Sequence, residues 1–173
     1  MEKNNNKRTL TYWIRKIGAS LFFLGYFPFA SGTLGSLAAV GGLWYVHSQI
    51  GDLHCPERLP LYWGSIFILV AISIYLSSQC KAVFGKDDPS EIIVDEVAGQ
   101  VITFFMIPIS IKTLLIGFLL FRFFDIVKPF PIGTMQELDG GVGVTMDDVL
   151  AGVFANISLF LILGGYQLIR SYL

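Results

Sequence analysis

The chain has 173 residues, a formal net charge of −1, 54% hydrophobic and only 14% charged residues, and a mean hydropathy of +0.65. This length suits one domain, and the absence of a basic patch beyond the first sixteen residues argues against a nucleic-acid binder. The apolar residues come in long charge-free runs, which excludes an ordinary soluble domain and predicts an all-α, polytopic helical membrane bundle with about five membrane-embedded helices.

Residues 1–16 (MEKNNNKRTLTYWIRK) carry Lys3, Lys7, Arg8, Arg15 and Lys16 against Glu2 alone. They read as a retained basic cytoplasmic tail, with Tyr12, Trp13 and Ile14 at the membrane interface, ahead of a single helical domain over 17–173. From Ile17 to Gly51 there is no Asp, Glu, Lys or Arg, but Pro28 and the SGTLGS segment at Ser31–Ser36 divide the run. Leu34–Gln49 is the first predicted crossing. A polar loop with Asp52, His54, Glu57 and Arg58 follows, and Leu59–Cys80 is the clearest span. Asp88, Pro89 and Glu91 have the pattern of a helix start, which places a helix from there to about Ile107; a second helix returns from Ser110 toward Lys128. Thr145 and Asp148 form a capping-box pattern that opens the last apolar helix. With the tail inside, five crossings bring every acidic stretch and the SGTLGS turn to one membrane face.

Ten of the thirteen acidic residues lie between Asp87 and Asp148. Several sit in apolar sequence, where an unpaired carboxylate costs several kcal/mol or more and is normally paired or bound to a cation. On a helix from Pro89, Glu91 and Asp95 would share a face, with Glu96 turned about 100° away. Capping accounts for Asp88 and Glu91 but not for Asp95 and Glu96. Arg122, Asp125 and Lys128 recur every third residue and form either a salt-bridged strip or a phosphate site with a metal-binding carboxylate. Asp147 and Asp148 suit both a helix first turn and a hard cation. The SGTLGS turn offers backbone N–H groups and the hydroxyls of Thr33 and Ser36 as an anion seat, or small residues for tight packing. His47 and His54 lie near the opposite loop, so zinc or phosphohistidine chemistry is not expected; oxygen ligands with basic neighbours point to Mg²⁺ and phosphate.

GTLGS (Gly32–Ser36), DPSEIIVDEVAGQ (Asp88–Gln100), FRFFDIVKPFPI (Phe121–Ile132) and GGVGVTMDDVLAG (Gly140–Gly152) resemble, in order and spacing, the motifs of the phosphatidylglycerophosphatase A family. Ser31 stands where that family usually has Pro. The resemblance implies a bacterial inner-membrane enzyme that uses Mg²⁺ to remove the terminal phosphate of phosphatidylglycerophosphate at the cytoplasmic face. It directs the carboxylates of Asp95, Glu96, Asp125, Asp147 and Asp148 to the metal, with Asp95, Asp125 and Asp147 as catalytic candidates. Thr33, Ser36, Arg122 and Lys128 would bind the substrate phosphate. Two other readings are a cation transporter, which would need its carboxylates at mid-depth, and a CDP-alcohol phosphotransferase, whose DxxDGxxAR motif is missing.

Overall fold

The computed structural model describes residues 10–86 and 89–172, with side chains as far as Tyr166. The described residues contain helices and no strand: α1 (Leu10–Ala19), a 3₁₀ turn (Leu24–Tyr26), α2 (Ser31–Ile50), α3 (Leu59–Ser77), α4 (Cys80–Phe84), α5 (Val94–Thr103), α6 (Ile111–Val127), α7 (Ile132–Met135) and α8 (Gly140–Tyr172). The all-helical expectation therefore holds. Lys3, Lys7, Arg8 and Asp88 lie outside the described residues.

Among the described residues, two helical stretches are long and apolar enough to cross a membrane, Leu59–Ser77 and Gly140–Tyr166. Only 17% and 22% of their apolar windows is buried inside the protein, so most of each faces outward, unlike the core helix of a soluble domain. Phe22, Phe29, Leu61 and Phe67 are likewise exposed. The expected count of about five is not reached on this criterion. Helix α5, at ten residues or ~15 Å, is too short to cross.

Helix α5 is the centre of the bundle, packed against α8, α2 and α3. Its core face, with Val101 and Phe104, meets Ala39, Leu43, Tyr62, Leu114 and Leu159. The chain breaks after Thr103 and returns as α6, which Ser110 caps with the reciprocal Ser110–Thr113 bonds of a capping box. Carbonyls freed at the break are not left bare. The Asn156 amide of α8 donates to Thr103 O at 2.9 Å and Phe105 O at 2.7 Å, and the Tyr62 hydroxyl donates to Val101 O at 2.8 Å. A buried helix end needs such partners.

Two local expectations are corrected. The helix expected from Pro89 begins at Val94, because tertiary bonds take the backbone of 90–93: Ile93 N–H donates to Ala19 O, and Ser31 Oγ to Ser90 O. Glu91 is therefore not a helical face-mate of Asp95. The last helix starts at Gly140, five residues before Thr145, so Thr145 and Asp148 are no capping box; the Thr145 hydroxyl instead pairs with that of Ser73 at 2.8 Å. In α1, Arg15 is buried, donates to Ser78 Oγ at 2.8 Å and lies over the Tyr75 ring.

Candidate active site

Four separated segments meet at one end of the bundle: the N-termini of α2 and α5, the C-terminus of α6 with the turn after it, and the first turns of α8. Together with the Gly25–Ala30 segment they enclose a cavity of about 550 Å³. Asp95, Glu96, Arg122, Asp125, Lys128, Asp147 and Asp148 all line it.

Small residues make this convergence possible. A Cβ on Gly152 would overlap the Gly99 carbonyl oxygen, and one on Gly99 would overlap that of Asp148, so α5 and α8 cross backbone against backbone. Asp95 stands one turn before Gly99, and Asp148 one turn before Gly152, so the crossing places both carboxylates on the shared side. Gly32 does the same for α2: a Cβ there would land on Glu96 Oε1 and come within 3.0 Å of Arg122 Nη1.

The acidic residues divide into two groups. One carboxylate oxygen from each of Asp95, Glu96 and Asp148 lies within 4.8 Å of the others. Asp125 and Asp147 are instead ion-paired, Asp125 Oδ2 with Arg122 Nη1 at 2.5 Å and Asp147 Oδ2 with Lys128 Nζ at 2.5 Å. The Lys128 Nζ also stands 4.0 Å from Asp125 Oδ1. Asp95 Oδ1 and Asp147 Oδ1 each accept the next residue's backbone N–H, from Glu96 and Asp148, at 3.0 Å.

Burial pushes the Asp95 carboxyl up to about 6, against hydrogen bonds from Glu96 that pull it down. Burial, then the charge of Asp95, holds Glu96 well above the usual carboxylate range. Lys128 is opposed by burial, but its hydrogen bond to Asp147 and that residue's charge outweigh this, and its pKa is raised. Glu96 Oε2 and Asp148 Oδ1 are buried and accept no hydrogen bond. An unpaired buried acceptor costs ~1–3 kcal/mol, more when charged. A hard cation with oxygen preference would satisfy both oxygens and relieve the like-charge crowding, so the residues present fit Mg²⁺.

Thr33 and Ser36 do not line the cavity; Ser31 and Gly32 of the same turn do. The Ser36 hydroxyl is buried and donates to Gly32 O at 3.0 Å. The sequence reading overlooked Gly99 and Gly152, whereas Gly32 lies in the turn whose small residues offered tight packing as one reading. A signal was present in the repeated D-x-x-A-G of Asp95–Gly99 and Asp148–Gly152. It is the mark of two helices crossing at the same register.

A helical bundle with outward apolar flanks, buried carboxylates that could bind a metal ion and two adjoining cations suits an enzyme that acts on phosphate. The chain belongs to the phosphatidylglycerophosphatase A family, whose model matches residues 17–163. It is 43% identical over 140 residues to phosphatidylglycerophosphatase A of Haemophilus influenzae, covering 77% of this chain and 78% of that one. Phosphatidylglycerophosphatase A of Escherichia coli is 33% identical over 143 residues, covering 82% and 78%. A Bacteroides thetaiotaomicron protein named "Putative phosphatidylinositol-3-phosphatase" is 36% identical over 142 residues, covering 79% and 85%. No solved structure matches the chain.

Proposed function

We propose that this chain is a Mg²⁺-dependent, multi-pass phosphatase of the bacterial inner membrane that hydrolyses the terminal phosphomonoester of phosphatidylglycerophosphate to phosphatidylglycerol and phosphate, its site facing the cytoplasm. The observation that carries the reading is the pair of unsatisfied buried oxygens, Glu96 Oε2 and Asp148 Oδ1, beside Arg122 and Lys128 in a chain of this family. The basic residues before Ile17 support the cytoplasmic orientation.

Asp95, Glu96 and Asp148 would hold the metal, which when bound supplies positive charge against the phosphate and makes water acidic enough to attack near neutral pH. The chain's own residues do the rest. Arg122 and Lys128 bind the phosphate oxygens and offset the charge that shifts onto them in the transition state. Asp125 and Asp147 hold these two cations in place, and one of them takes the proton of the attacking water. As the oxygen of that water bonds to phosphorus, the bond to the glycerol oxygen breaks, and the departing alkoxide takes a proton from solvent water to leave as the alcohol. Backbone N–H groups at the start of α2, where Ser31 and Gly32 line the cavity, are better placed for the phosphate than the Ser36 hydroxyl.

Phosphate release by the purified protein in mixed micelles tests the reading, with phosphatidylglycerophosphate and phosphatidylinositol 3-phosphate as rival substrates. Turnover of the first that EDTA abolishes and Mg²⁺ restores is expected. Chelator-resistant turnover, or preference for the phosphoinositide, would overturn the reading.

A further inference from the structure

A second cavity, of about 440 Å³, lies outside the acidic site. Its floor is α5, through Val97 and Val101, and its walls are α2, with Ala39, Gly42 and Val46, and α3, with Leu61. Both α2 and α3 pack on α5 but scarcely on each other, so an apolar slot stays open between them toward the bilayer. The polar side chains within it are already engaged: Tyr62 donates to Val101 O at 2.8 Å and Ser65 to Tyr62 O at 2.7 Å.

The slot has two different ends. One abuts the acidic site: Val97 directly follows Glu96, and Leu21 opens the segment whose Gly25–Ala30 part walls the site. The other end is formed by Leu53 and Arg58, with Arg58 Nη1 held by Asp52 O at 2.9 Å. From Ala38 to Ile50 the α2 wall runs ~18 Å, close to the ~15 Å depth of one leaflet's hydrocarbon.

We propose that this slot is a binding site for one acyl chain of the phospholipid substrate, so that a lipid whose phosphomonoester lies among Glu96, Arg122 and Lys128 lays its chain between α2 and α3. The proposal rests on the lipid-phosphatase reading above and adds a specificity site to it. The step from Glu96, which lines the acidic cavity, to Val97, which lines the slot, favours the substrate's own chain over any bilayer lipid. The Leu53–Arg58 end sets a limit on chain length.

Gly42 permits a clean test. A Cβ there meets nothing within 4 Å, and the same is true of Gly41, which does not line the slot. Gly42→Phe therefore fills the slot without disturbing the protein's own packing, and Gly41→Phe is its control. With long-chain phosphatidylglycerophosphate in mixed micelles, Gly42→Phe should raise KM roughly tenfold over Gly41→Phe through lost burial of chain methylenes. For a dihexanoyl substrate, whose chains bury far fewer methylenes, the rise in KM should be much smaller. Phosphatidylglycerophosphate carrying a diazirine on its acyl chain should label α2 and α3 along the slot in the wild type, and Gly42→Phe should abolish that label.

Equal behaviour of the two variants, labelling elsewhere, equal labelling by diazirine phosphatidylcholine that the phosphomonoester lipid does not displace, or a dimer that Gly42→Phe breaks would each overturn the proposal. The labelling arm needs no turnover. Slot labelling without hydrolysis removes the phosphatase reading and keeps the lipid site, whereas hydrolysis without slot labelling does the reverse.

Discussion

Glu96 shows how much rests on single positions. It reaches the start of α2 only because residue 32 has no side chain, and a Cβ there would fall on its Oε1 and crowd Arg122 Nη1. Gly32→Ala should lower phosphate release roughly 100-fold, the usual cost of displacing catalytic groups by about 1 Å, with little change in Tm. Activity within a factor of two of wild type would show that the Glu96–Arg122 placement is unimportant. Asp148 makes a prediction of opposite sign for stability. In EDTA it is one of three crowded, buried carboxylates, so Asp148→Asn should keep or raise Tm. Saturating Mg²⁺ should stabilise the wild type, by ~2.7 kcal/mol at a hundred times Kd, and should do far less for the variant. Thermal unfolding in detergent with and without Mg²⁺ reads both effects. A variant that melts lower in EDTA yet gains as much from Mg²⁺ as the wild type contradicts the assignment.

At the scale of elements, the α5–α8 crossing brings carboxylates 53 positions apart in sequence, Asp95 and Asp148, to one ion-sized space. Gly152→Ala should wedge the helices apart at the Gly99 carbonyl, cost ~1–3 kcal/mol in unfolding free energy and abolish the Mg²⁺-dependent rise in Tm. Asn156→Leu strips the Thr103 and Phe105 carbonyls of their shared donor and should cost a similar ~1–3 kcal/mol while leaving the Mg²⁺ response intact. That contrast separates the site from its scaffold. Composition and proline positions made most elements legible. Helix α6 begins and ends where Ser110 and Lys128 placed it, and Leu59–Ser77 falls within the span read from hydropathy. Helix α5 was misjudged because its start is set by long-range bonds from Ala19 and Ser31, which no local pattern encodes. The acidic pool was legible from charges stranded in apolar sequence. Its division into a three-carboxylate cluster and two ion pairs was not, since Asp147 meets Lys128 only through tertiary packing. Ser36 was drawn into the expected anion seat by its hydroxyl, yet a hydroxyl one turn into a helix bonds most simply to the carbonyl four residues back.

For the whole molecule, the helix ends that carry the site lie together, and the Asp52–Arg58 loop follows α2 at its opposite end. The proposed multi-pass insertion, with the site inside, makes a labelling prediction. In a background lacking Cys55 and Cys80, Glu57→Cys should react with an impermeant maleimide in intact spheroplasts. Asp139→Cys should react only after permeabilisation, and the reverse pattern would invert the topology. The central claim is that α5 and α8 supply oxygen ligands to one shared divalent ion. Its most direct test is the anomalous scattering of crystals grown with Mn²⁺ in place of Mg²⁺. A peak is expected within ~2–2.5 Å of carboxylate oxygens from Asp95, Glu96 and Asp148. A well-diffracting crystal with no peak there, or with its only peak elsewhere, would contradict it.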